Sequence, residues 1–64
     1  MNKTFFKELT QGQRFRIQVF RFLLVPSMSS VLYELRLDGL VYEVGGFEPV
    51  DEKFAPDLIV YIVK

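Results

Sequence analysis

The strongest constraint on this chain is the stretch Val31-Leu32-Tyr33-Glu34-Leu35-Arg36-Leu37-Asp38-Gly39-Leu40-Val41-Tyr42-Glu43-Val44, two alternating runs joined by Asp-Gly. Alternation with period two places successive side chains on opposite faces of a strand, and Asp-Gly between two such runs predicts a β-hairpin. A two-residue type I′ turn needs φ > 0 at both central positions, which Asp and Gly tolerate. The register that follows sets Leu37 opposite Leu40, Leu35 opposite Tyr42 and Tyr33 opposite Val44 on a buried face. Arg36 then faces Val41, and Glu34 faces Glu43, on the outer face. Carboxylates directly across a ladder repel, so an arginine is expected between them.

The same period runs through Arg14-Phe15-Arg16-Ile17-Gln18-Val19, with Phe15, Ile17 and Val19 facing one way. It then slips, because Phe20, Phe22 and Leu24 are apolar and Arg21 is charged. A one-residue slip in a half-buried strand predicts a β-bulge or bend near Val19-Phe20. Residues 25–30, VPSMSS, read as a loop because Pro26 cannot donate to a ladder. Leu58-Ile59-Val60-Tyr61-Ile62-Val63 has no polar alternation, which predicts a strand covered on both faces, by a central place in the sheet, by barrel closure or at a dimer seam. Near the start, Thr4 could cap a short helical turn ending near Gly12, with Phe5, Phe6 and Leu9 plugging one end of the core. The expectation is a single all-β domain over residues 1–64. It would be a small bent β-barrel or roll, SH3-like in scale, with four to five strands and a short N-terminal helical turn.

The opening Phe6-Lys7-Glu8-Leu9-Thr10-Gln11-Gly12-Gln13-Arg14-Phe15 resembles the F-x-x-L-x-x-G-x-x-F start of short uncharacterised bacterial and phage β-rich proteins. The resemblance covers about ten of the 64 residues. It implies a barrel entered by a tight turn at Gly12 and brings no established activity. With the small size and the lack of targeting signals, it points to a phage or other mobile element as the source.

Composition removes several kinds of function. There is no histidine and no cysteine, so the two most versatile acid–base and nucleophilic groups are missing, and disulfides with them. The hydroxyl groups have no recognisable base beside them, and a non-enzymatic protein without a cofactor is expected. Gly45-Gly46 feeds an acidic segment, which would repel phosphate. Glu48, Asp51, Glu52 and Asp57 are hard oxygen ligands suited to calcium, yet the EF-hand spacing is absent and no metal site is assigned. No apolar run is long enough for a signal peptide or a membrane span. A cytoplasmic protein with no membrane partner is the expectation.

What remains is binding. A chain this short buries only about 60% of its unfolded surface, yet half of its residues are hydrophobic. Partner-covered apolar surface, including self-association into a homo-oligomer, is therefore expected. Net charge is zero, but residues 1–36 carry six cations against two acids, and residues 37–64 carry the reverse. The thirteen residues from Gly45 to Asp57 exceed what a hairpin needs, so they must cross the end of the core. Phe47 and Phe54 are expected to turn inward, for one of them at least, leaving Glu48, Asp51 and Glu52 as an acidic bulge. Phe47, Glu48, Asp51, Glu52 and Phe54 thus form the candidate protein-binding surface, with a second copy as one occupant. The alternative is single-stranded nucleic acid on Arg14, Arg16 and Arg21, which a bulge near Val19-Phe20 would align on one outer face. Zero net charge weakens that alternative, because affinity for nucleic acid rests largely on phosphate neutralisation.

Overall fold

The computed structural model describes residues 2–22 and 24–63. Six strands form: β1 (Asn2–Phe5), β2 (Arg14–Arg21), β3 (Val25–Met28), β4 (Tyr33–Leu35), β5 (Val41–Glu43) and β6 (Ile59–Val63), with a 3-10 turn at Phe6–Glu8. They make one antiparallel sheet in the order β1-β6-β2-β4-β5, and β3 pairs with the far end of β2. The all-β class is as expected. The sheet, however, is open rather than closed into a barrel, and it has six strands rather than four or five.

β6 lies inside the sheet, between β1 and β2, as its unbroken apolar run predicts. It is not covered on both faces, however: Val60 alone is buried, and Ile59, Tyr61, Ile62 and Val63 stay half-buried. Phe15 on β2 and Val60 on β6 are fully buried, and Tyr33 and Val41 complete the innermost group. Phe6 and Phe54 close over them. The ring of Phe15 meets Phe6 edge-on at 5.9 Å, Phe54 edge-on at 6.3 Å and Tyr33 in a stack at 5.7 Å. Edge-to-face pairs add to area burial because the positive edge of one ring meets the negative face of the next.

Four expectations are corrected. First, Thr4 lies in β1 and caps nothing; residues 2–5 pair with β6, and the 3-10 turn follows Phe5 with no side-chain cap. Phe6 and Leu9 do pack on the core, whereas Phe5 pairs with Ile59 and stays exposed.

Second, the β4–β5 hairpin has a three-residue loop. The Arg36 N–H donates to the Leu40 carbonyl and the Gly39 N–H to the Arg36 carbonyl. Only Gly39 takes positive φ, at 80°. The observed pairs are Tyr33 with Glu43, Glu34 with Tyr42 and Leu35 with Val41. This one-residue shift from the expected register turns Val41 inward and Tyr42 outward, and it separates Glu34 from Glu43.

Third, β2 carries no bulge near Val19-Phe20. Gln18, Val19, Phe20 and Arg21 pair in unbroken register with Met28, Ser27, Pro26 and Val25.

Fourth, residues 25–28 form a strand rather than a loop. Pro26 is tolerated because β3 has only one neighbour. The irregular stretch falls later, at Ser29–Leu32, where two extra residues enter between the β2–β3 and β2–β4 registers. There the Ser29 N–H donates to the Ile17 carbonyl, and the Ile17 N–H donates back to Ser29 Oγ.

β6 pairs with β2 only over Arg14–Ile17, so the β2–β3 hairpin continues past the body of the sheet as a two-stranded arm. The molecule is correspondingly long, 35 × 21 × 20 Å. Its radius of gyration of 11.4 Å exceeds the value of about 10.7 Å typical of a compact chain of this length.

Candidate functional site

Two exposed surfaces hold the residues that sequence reasoning singled out. One is the crossover from β5 to β6. It begins at Gly46, whose carbonyl accepts from Arg36 Nη2 at 2.8 Å. It then runs along the free edge of β5, where Tyr42 bridges to Pro49 and the Val50 N–H donates to the Val41 carbonyl. That covers an edge that would otherwise template pairing with another chain.

Phe54 turns into the core, with ring centroids 5.4 Å from Phe6 and 5.5 Å from Tyr33. Phe47 does the opposite and stands 96% exposed. Glu48, Asp51 and Glu52 are exposed. With Glu43, Phe47 and Val50 they line an open depression of about 630 Å³. It is too open to enclose a small molecule, and none of its four carboxylates pairs with a cation among the described residues. Burial pushes the Tyr33 hydroxyl above its ordinary range, and the nearby charges of Glu52 and Glu43 push it further. Among the described residues, no three acidic side chains converge as they would to hold a metal ion.

The second surface is β2. Side chains alternate along an uninterrupted strand, so Arg14 and Arg16 share the outer face and Arg21 points to the other. The three do not align. Arg14 is 3.6 Å from Glu34, which also accepts from Arg36 Nε at 3.1 Å. Glu34 therefore does have arginines beside it, though Tyr42 rather than Glu43 faces it. Arg16 Nη1 donates to the Ser29 and Ser30 carbonyls at 3.1 and 2.8 Å, satisfying backbone groups at the irregular stretch. Arg21 is exposed.

At the opposite end of β4, Arg36 lies 4.0 Å over the Tyr42 ring, and the Tyr42 hydroxyl donates to Asp38 Oδ2 at 2.6 Å. That hydrogen bond, together with one from the Leu40 N–H, holds the Asp38 carboxyl below its usual range, and it raises the Tyr42 hydroxyl above its own.

The feature that sequence reasoning missed is the arm itself. Phe20, Phe22, Leu24, Val25 and Met28 are exposed on it, Phe22 at 89% and Leu24 at 81%. Phe22 and Leu24 also adopt positive φ, 47° and 77°. That conformation costs an L-residue roughly 1–2 kcal/mol. The only available signal was the single charge, Arg21, among the seventeen residues from Ile17 to Tyr33.

No family model, no curated protein and no solved structure matches this chain.

Proposed function

We propose that the protein is a non-enzymatic interaction module whose binding element is the β2–β3 arm, seated against a protein partner. The apolar surface of the arm carries this reading. Five large hydrophobic side chains stand exposed on this ribbon, Phe20 and Met28 on one face, Val25 on the other, and Phe22 and Leu24 past the last β2–β3 pair. No third strand among the described residues covers it. A concentration of exposed large apolar side chains on one short element marks a contact site. A two-stranded hairpin without a third strand is also marginal in water, so a partner that covers it would order it. The acidic crossover, with Phe47, Glu48, Asp51 and Glu52, is the second contact surface in this reading, while Phe54 acts through the core.

A benzophenone side chain at position 22 tests the proposal in living cells. Irradiation should yield a protein adduct that disappears when Leu24→Asp is added, and a probe at exposed Leu37 should not reproduce it. Absence of any arm-dependent protein adduct refutes the proposal.

The second reading, single-stranded nucleic acid, has one observation in its favour. Lys3, Tyr61 and Arg16 form a cross-strand row on the outer face, an aromatic ring between two cations. Against it, Arg16 is engaged with backbone carbonyls, Arg14 pairs with Glu34, and the net charge is zero. Binding of a labelled oligonucleotide that weakens with salt and vanishes in Arg16→Glu would establish this reading instead.

A further inference from the structure

Resting on the arm as the binding element, we infer that its occupant is a second copy of this chain. The arm of each copy lies on the β5–β6 crossover of the other, with Arg21 among the carboxylates that rim the depression.

Charge complementarity is the first argument. Arg21 is the sole charge from Ile17 to Tyr33, whereas Glu43, Glu48, Asp51 and Glu52 are the only charges from Glu43 to Glu52. The arm is thus an apolar finger with one cation, and the residues that line the depression include four acids and no cation. Apolar complementarity is the second. Phe47 rises nearly fully exposed within that acidic segment, and Val50 lines the same depression. Phe22 and Leu24, just past Arg21, and Val25, which pairs with Arg21 and shares its face, offer Phe47 the apolar cover that its own chain does not.

Area decides between one contact and two. A stable interface takes roughly 800 Å² from each partner, about one-sixth of the 4778 Å² surface of this chain. On the Arg21 side of the arm, Phe22, exposed at 89%, presents roughly 180 Å² at about 200 Å² per ring. With the aliphatic side chains added, a single arm still falls short. Two arms exchanged reciprocally reach the requirement, and reciprocity makes the contact self-complementary and closed, a two-fold dimer rather than a filament.

Sedimentation equilibrium of the purified chain tests this, with far-UV circular dichroism to confirm that each variant folds. Arg21, Leu24, Asp51 and Glu52 are all exposed, so their replacement leaves the core intact. The parent should sediment at twice 7.5 kDa at micromolar concentration, and Leu24→Asp should sediment as one chain. Arg21→Glu alone, and Asp51→Arg with Glu52→Arg, should each weaken association by at least about tenfold. An equimolar mixture of those two variants should restore it, because in the mixed dimer position 21 of each arm meets positions 51 and 52 of opposite charge. A monomeric parent overturns the second copy as occupant while leaving the arm free to bind another protein. A dimer that ignores both Leu24→Asp and the charge exchange overturns the arm as the binding element. Growth beyond two chains overturns the closed arrangement.

Discussion

Phe47 and Phe54 lie seven positions apart in one crossover, and replacing each with alanine should separate them sharply. Phe54 is in ring contact with Phe6, Phe15 and Tyr33. Truncating a core phenylalanine costs about 3–5 kcal/mol, and the lower figure applies because Phe54 is only partly buried. At roughly 0.1 kcal/mol per residue, the whole fold is stable by about 6 kcal/mol. Phe54→Ala therefore removes about half of the stability and lowers the melting temperature by roughly 12 °C or more. Phe47, at 96% exposure, should change stability by less than about 0.5 kcal/mol on the same replacement. Thermal unfolding followed by circular dichroism reads both, at a concentration low enough to hold any association constant. Phe54→Ala melting within about 3 °C of the parent, or Phe47→Ala matching the loss at Phe54, would refute the proposed division of the crossover into a core anchor and a free surface.

Gly39→Val should destabilise by about 2 kcal/mol and Gly39→Asn by much less. An added Cβ meets no atom within 4 Å, so the penalty is conformational, and urea titration of both variants would show it. Leu24→Gly should leave stability unchanged or raise it by up to about 1 kcal/mol, since relief at φ 77° offsets the entropy of the added glycine; a loss above about 1 kcal/mol would show that Leu24 packs in the monomer. The depressed Asp38 carboxyl contributes stability that is present above its unfolded value of 3.8 and is lost as pH falls through its folded value. The raised Tyr42 hydroxyl contributes stability that is present below 10.0 and is lost as pH rises through its folded value. In Tyr42→Phe, a carboxyl NMR titration should move Asp38 back toward 3.8.

What could be read from the sequence depended on whether a feature was fixed locally. The all-apolar run of β6 made its place between two strands legible, but it overstated the cover, since Tyr61 lies on the outer face and Val60 alone is fully buried. Asp38-Gly39 correctly marked a hairpin, but not its loop length. Leu40, Tyr42 and Val44 make the better apolar set, which favours the two-residue turn. The structure selects the other parity because Tyr42 has polar partners outside: Asp38 accepts its hydroxyl proton and Arg36 covers its ring. Val41 can then fill the space beside Tyr33. The partners of Tyr42 sit four and six residues away in the same hairpin, but apolar alternation counts tyrosine as a core side chain and does not register them.

The arm illustrates a different loss of information. A reversal normally announces itself by Gly, Asn or Pro at the positions that need them. Here Phe22 and Leu24 take the left-handed conformations instead, so the segment reads as a slipped strand. The same misreading placed Arg21 beside Arg14 and Arg16. Phe47 and Phe54 were also equivalent on paper, since each stands beside one charged neighbour, Glu48 and Lys53, in the same loop, and only the aromatic cluster distinguishes them.

The two halves of this molecule are linked by how it allots its apolar side chains. Among the described residues, four are buried outright and ten large ones stay exposed. Half the chain is hydrophobic, yet a sheet of three- to eight-residue strands covered by one crossover has little interior to fill. The surplus therefore collects at the arm, at the β4–β5 end and at Phe47. In a fold held by about 6 kcal/mol, covering that surplus would matter to stability as well as to recognition. A partner present at a hundredfold excess over its dissociation constant adds about 2.7 kcal/mol, close to what Phe54 contributes. Strain at Phe22 and Leu24 acts in the opposite sense on the free chain, holding large side chains out in water. A hairpin with glycine at its tip would fold at lower cost and would have nothing to insert. The tip is thus better suited to contact than to the stability of the lone chain, which is the physical reason to look for this protein's activity at the arm rather than inside the sheet.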